Sequence, residues 1–139
     1  MSYSPSPPGV RTVPELRVLV TGGRDYADRA TVRRTLTYLA EAYIHGFAPG
    51  EIVLVHGDAP GADTLAAEEA TALGWRTEAH PADWEAHGRA AGPIRNKEMV
   101  ALGAHYCLVF PGGDGTRHCR RLALNAHITV IDIPEARRG

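Results

Sequence analysis

Long apolar runs are the first thing missing from this sequence of 139 residues. No stretch approaches the roughly 20 residues that a membrane-spanning helix requires. The N-terminus also lacks the basic-then-apolar order of a secretory signal, so the expected location is the cytoplasm. Cysteine is scarce, with 2 in the chain, Cys107 and Cys119, and neither CxxC nor metal spacing. The pair is expected to be reduced and buried. The 7 histidines stand singly, without HExxH or paired ligands, so no metal site is expected. A surplus of charge is lacking too, the formal net charge being −1. That balance argues against a protein built to hold nucleic-acid backbone, although Arg117, Arg120 and Arg121 form a local basic cluster. GxxxxGK(S/T) and GxGxxG are both absent, which removes support for P-loop ATP hydrolysis and for a dinucleotide dehydrogenase.

What is present is the composition of one soluble domain, with 44% hydrophobic and 22% charged residues. Residues 1–14 are rich in Pro and Ser, show no periodicity and read as a flexible tail. Residues 15–134 form the domain, and 135–139 a frayed C-terminus. Runs at 16–20, 52–55, 105–110 and 128–133 read as strands, and 75–80, directly after helix two, reads as another. Helical spacing marks about 28–45, 61–73, 93–102 and 117–126, while 81–92 looks irregular. Strands alternating with helices indicate βαβ units and a parallel sheet, and nearly continuous apolar strands indicate burial on both faces. The expected fold is α/β, a Rossmann-like three-layer sandwich whose five-stranded parallel sheet has the order 3-2-1-4-5. Ligands bind such sheets outside the carboxyl ends of the strands, at the switch point between strands one and four.

The glycines lie at that edge. Strand one ends in Gly22, Gly23 and Arg24, strand two in His56, Gly57 and Asp58 with Asp63 just beyond, and strand four in Pro111, Gly112, Gly113, Asp114, Gly115 and Thr116. Glycine lets backbone approach a ligand closely. The fourth-strand loop runs into a helix N-terminus, whose unpaired N–H groups suit a phosphate, and Thr116 stands where a cap would be. Arg95, with Met99 and Leu102, falls on one helical stripe, where a guanidinium suits phosphate or a solvated ion pair. Asn96 beside it is a weaker candidate. Arg24 reads as an anion contact or as a bridge to Asp25 or Asp63. Asp63 suits a cap at helix two, Asp58 a sugar hydroxyl, and Trp84 either a base or the sheet edge.

The runs TGGRDY (21–26), HGDAPGADTLA (56–66), PADW (81–84), GPIRNKEMV (92–100) and FPGGDGT (110–116) resemble the YspA-type branch of the SLOG superfamily. The match runs in order over about 16–133. This resemblance implies a Rossmann-like fold and a nucleotide-derived ligand such as a nucleoside monophosphate, NAD or ADP-ribose; no cofactor is assigned. Related LOG phosphoribohydrolases carry PGGxGTxxE and a helix Arg. Pro111, Gly112, Gly113, Gly115 and Thr116 match that loop, and Arg95 resembles the Arg. The Glu does not carry over, since Arg117, His118 and Cys119 follow Thr116. Asp25, Asp58, Asp63 or Asp114 is left to replace it, and no catalytic residue is assigned. The leading expectation is therefore binding or sensing of a nucleotide-derived ligand. The alternatives are an N-glycosidic-bond hydrolase and, by analogy with the more distant DprA, a nucleic-acid-associated protein. The resemblance also implies pairing into a homo-oligomer through helices flanking the pocket.

Overall fold

The computed structural model describes residues 15–135, so the expected tail at 1–14 and residues 136–139 lie outside the described residues. The elements in chain order are β1 (Leu16–Thr21), α1 (Arg29–Ala42), β2 (Ile52–His56), α2 (Ala62–Ala72), β3 (Arg76–Ala79), α3 (Trp84–His87), α4 (Ala91–Ala101), β4 (Tyr106–Val109), α5 (Asp114–Asn125) and β5 (Thr129–Asp132). All strand pairings are parallel and the sheet order is β3-β2-β1-β4-β5, as the alternation of strands and helices implies. Burial on both faces holds for β1, β2 and β4 but not for the edge strands β3 and β5, which are largely exposed or half-buried because each has a neighbour on one side only. β1 occupies the centre, with Val18 opposite Leu54 on one side and Tyr106 on the other. Successive strand residues point to opposite faces, so one sheet feeds two cores. Val18, Val20, Leu54 and Leu108 pack under Val32, Leu36 and Leu39 of α1 and Ala66 and Ala70 of α2. Leu19, Val53, Val55 and Cys107 pack under Met99 of α4 and Cys119 and Ala123 of α5. Cys107 and Cys119 are buried and free.

Helix boundaries depart from the periodicity for local reasons. α1 begins after Asp28, whose side chain accepts from Thr31 N, and stops at Ala42 rather than His45. There the amides of Tyr43 and Ile44 both donate to Leu39 O. That turn buries Ile44 and leaves Tyr43 56% exposed. α4 starts at Ala91, two residues ahead of Pro93, which still falls in the first turn where its missing N–H breaks no bond. Leu102, expected on the stripe with Arg95 and Met99, caps that helix and is exposed. The stretch read as irregular contains α3, capped by Asp83, and a 3-10 turn at Gly88–Ala90. α1 and α2 are tied by Glu69, which accepts from Arg29 Nη1 at 2.8 Å and Arg33 Nε at 2.7 Å. Among the described residues no helix is long and apolar enough to cross a membrane.

Candidate functional site

A cleft of about 760 Å³ opens at the carboxyl ends of β1 and β4, where the strand order reverses. Gly22, Gly23 and Arg24 line it from β1, Asp63 from α2, and Arg95 and Asn96 from α4. Pro111, Gly112, Gly113, Gly115 and Thr116 line it from β4 and α5. Gly57 and Asp58, the other two candidates, lie outside the lining. Gly57 is buried beneath the Arg95 guanidinium, and Asp58 turns outward, exposed, with φ at 56°.

The floor is made by backbone in close approach. Gly23 N donates to Pro111 O at 2.8 Å, and Ala62 N donates to Gly23 O at 3.1 Å, so the first loop is pinned to both neighbours. A Cβ at Gly22 would stand 2.5 Å from Ala62 Cβ and 2.8 Å from Phe110 Cβ. One at Gly112 would stand 2.7 Å from Gly23 N and 2.9 Å from Thr116 Cβ. Side chains at either position would push the strand-end loops apart. Gly113 and Gly115 differ, since a Cβ at either meets nothing within 4 Å. Their bareness leaves room beside the loop rather than room for protein.

That room faces the N-terminus of α5. The helix begins at Asp114, three residues earlier than its apolar spacing implies, and its N-cap is Gly113 with no side-chain cap. Thr116 is therefore not the cap but the third residue of the helix. The first amide to bond back in this turn is Arg117 N, to Gly113 O. The amides of Asp114, Gly115 and Thr116 precede it and carry the partial positive charge of a helix start. Thr116 is only 7% exposed, yet its Oγ1 bonds to no described residue. No fully enclosed side-chain polar atom among the described residues lacks a partner, so this hydroxyl opens onto the cleft that Thr116 lines.

A hydrogen-bonded chain crosses beneath the cleft and joins α2 to this turn. Gly57 N and Ala59 N donate to Oδ2 of Asp63 at 3.0 and 3.3 Å. Gly57 O accepts from Arg95 Nη1. Arg95 Nε donates to Asn96 Oδ1 at 3.0 Å, and Asn96 Nδ2 donates to Gly115 O at 3.3 Å. Arg95 sits in the second turn of α4, because that helix starts early. Two of its nitrogens are taken by this chain, which leaves Nη2 without a partner among the described residues, on a side chain that lines the cleft. Burial pushes the Asp63 carboxyl up to about 6, against the downward pull of the two amides and of Arg95. His118 touches Asn96 from the far side, with Nδ1 at 3.3 Å from Nδ2, and burial lowers its imidazole below the ordinary value.

At the mouth, the Arg24 guanidinium lies over the Trp84 ring at 5.5 Å. Trp84 is half-exposed and stands above Gly92, which puts the ring at the cleft and not on the sheet edge. Asp25, Tyr26, Asp114 and Glu135 complete the rim. Tyr26 and Glu135 are additions of the folded structure, since the glycine pattern carries no signal for them. Of the carboxylates left to replace the LOG Glu, Asp25, Asp63 and Asp114 reach the cleft. The Glu position itself corresponds to Cys119, fully buried in the second core. Among the described residues no cluster of His, Cys, Asp and Glu could hold a metal ion.

DNA processing protein A (DprA) from Streptococcus pneumoniae has the same architecture, superposing with a TM-score of 0.68 at 18% identity over 88% of this chain. The chain spans about half, 51%, of that protein, and the likeness is one of fold. The gene 61 protein of Mycobacterium phage D29 is 46% identical over 125 residues, covering 84% of this chain and 94% of the phage protein. Residues 16–87, which hold β1, the glycine turns after β1 and β2, Asp63 and Trp84, match a family profile. The chain belongs to the YspA, cpYpsA-related SLOG family.

Proposed function

We propose that the cleft binds a phosphorylated, nucleotide-derived ligand, with its phosphate on the first turn of α5. The observation that carries this reading is the uncapped helix start whose buried Thr116 hydroxyl has no partner among the described residues and opens onto the cleft. A phosphate there accepts from main-chain amides and from Oγ1, and gains from the helix field. Arg24 and Arg95 offset its charge. The cleft's 760 Å³ lies within the roughly 300–1,000 Å³ of small-molecule sites, and Trp84 offers a ring at its mouth for a base. A nucleic-acid interface has less support. Arg117 is paired with Asp114 and Arg120 with Asp132, so two of the three clustered arginines are already engaged.

The test is thermal unfolding of the full chain with AMP, NAD, ADP-ribose and cyclic nucleotides, beside a Thr116→Val variant. A ligand at ~100 times its Kd adds about 2.7 kcal/mol, several degrees for a domain of this size. The expected result is a shift with at least one phosphorylated ligand that the variant loses. No shift with any of them would count against the reading. Assaying the stabilised sample for free base then decides between binding and hydrolysis of the N-glycosidic bond.

A further inference from the structure

The face of β4 and β5 on the α1 side of the sheet is only partly covered. Tyr106 of β4 and Ile131 of β5 pack at the margin of the core beneath α1 and α2, and among the described residues no helix follows β5 to lie over them. A groove of about 350 Å³ runs there between α1 and the two strands. Its wall is aromatic, with the Tyr43 ring 6.0 Å from that of Tyr38 and 6.3 Å from that of Tyr106. Leu108 and Ile131 form its base, and no described residue that lines it is charged. Tyr38 and Tyr43 are both more than half exposed.

Uncharged aromatic faces tipped with hydroxyls suit proline. A polyproline II segment makes no internal hydrogen bonds, so its carbonyls can accept from tyrosine hydroxyls while its rings lie on the aromatic faces. This chain carries a matching sequence in residues 1–14, where Pro5-Ser6-Pro7-Pro8 sets Pro5 and Pro8 three positions apart. That spacing puts both on one side of a helix with three residues per turn. Arg11 is the one charged side chain of the segment, which fits an uncharged groove. The segment also joins the fold at the right place. His105 N donates to Arg17 O and Arg17 N to His105 Nδ1, so the chain enters β1 beside the residue that precedes Tyr106. Pro8 stands seven residues before Glu15, roughly 20 Å of chain at about 3.1 Å per residue, which spans several of the ring-to-ring steps. Eight residues line the groove, against about 20–30 per side in a stable protein interface, so it suits a short segment better than a second copy. We propose that the tyrosine groove docks residues 1–14 of its own chain, with Pro5 and Pro8 on the rings of Tyr38, Tyr43 and Tyr106. Tethering brings the effective concentration into the millimolar range, so even a weak site is filled.

The experiment is paramagnetic NMR on the full chain with a nitroxide at Ser2→Cys. Cys107 and Cys119 are both 0% exposed, so the label goes to the introduced thiol. Relative to the reduced label, the amides of Tyr38, Tyr43, Tyr106 and Ile131 are expected to lose most of their intensity. Those of Lys97 and Leu122, across the sheet, are expected to keep theirs. The loss should disappear when Pro5→Ala and Pro8→Ala are added to the labelled chain, and likewise with Tyr38→Ala and Tyr43→Ala; circular dichroism checks the fold of each. Broadening spread evenly over the surface, or a loss at the groove that survives the proline substitutions, would overturn the inference. So would a loss at the groove of ¹⁵N chains without a label when spin-labelled chains are mixed with them, since the groove would then hold the segment of a second copy.

Discussion

Replacing Asp63 by Asn exchanges a buried carboxylate for a neutral side chain that can accept the same two amide bonds. Burial raises the folded-state carboxyl from its ordinary 3.8 to about 6. Arg95 and the Gly57 and Ala59 amides pull against that rise, and Asp58 adds to it. The folded chain thus holds this proton more tightly than the unfolded chain does. The contribution of Asp63 to stability is greatest below 3.8, falls as pH climbs towards 6, and levels off above it. At 1.36 kcal/mol per pKa unit, the ionised carboxylate costs the native fold about 3 kcal/mol near neutrality. Asp63→Asn carries no such charge. Urea unfolding of both proteins is expected to show near-equal stability at about pH 4. At about pH 7.5 the variant should be more stable by up to about 3 kcal/mol, or about 10 °C in Tm for a chain of this length. A variant less stable than the native protein at that higher pH, or a difference that does not change with pH, would refute the claim that Asp63 is a desolvated carboxylate. A stability gain joined to weaker ligand binding would mark a group retained for its site rather than for the fold.

Gly22→Ala places a Cβ 2.5 Å from Ala62 Cβ and 2.8 Å from Phe110 Cβ, both fixed to backbone. It should cost about 1–3 kcal/mol in urea unfolding, and unchanged stability would show that the loops do not close this tightly. Trp84 is 50% exposed at the cleft mouth, while Trp75 is 6% exposed in the core. AMP should therefore alter tryptophan emission in the native protein and not in Trp84→Phe, and a change that persists in the variant would place the ligand elsewhere. Bonds from Arg33 and Arg29 hold the Glu69 carboxyl below its ordinary 4.5, so its stabilisation is present above that value and is lost as pH falls through the depressed one. Glu69→Ala should lower Tm at about pH 7, with a deficit that shrinks at about pH 3. An equal deficit at both would mean that the bridge from α1 to α2 works through packing alone.

The sheet was legible because buried parallel strands must be apolar on both faces. Leu16–Val20, Ile52–Val55 and His105–Phe110 are such runs, and their order follows from the alternation with helices. Helix starts were less legible where the cap is missing. α5 opens at Asp114 on an uncapped Gly113, so spacing alone sets its beginning at Arg117 and gives Thr116 the role of cap. The glycine loops pointed to the right edge of the sheet, and most of the residues they suggested line the cleft. Which of them bond to one another was not legible. Arg95 reaches Gly57 across 38 positions, and only the folded sheet brings α4 against the end of β2. The same closure covers Gly57, and Asp58 stands exposed beside it at a φ of 56°, although in sequence both look as available as Gly112 and Gly113.

The most direct measurement is a ¹H–¹⁵N NMR titration of the full chain with AMP, read at the backbone amides of Gly113, Asp114, Gly115 and Thr116. A phosphate seated on the α5 turn should move these amides most, with smaller shifts at Gly23, Asp63 and Trp84. Absence of shifts with AMP, NAD, ADP-ribose and cyclic nucleotides alike, or shifts confined to surfaces away from the cleft such as Tyr38, Tyr43 and Tyr106, would contradict the assignment of the cleft as a nucleotide site.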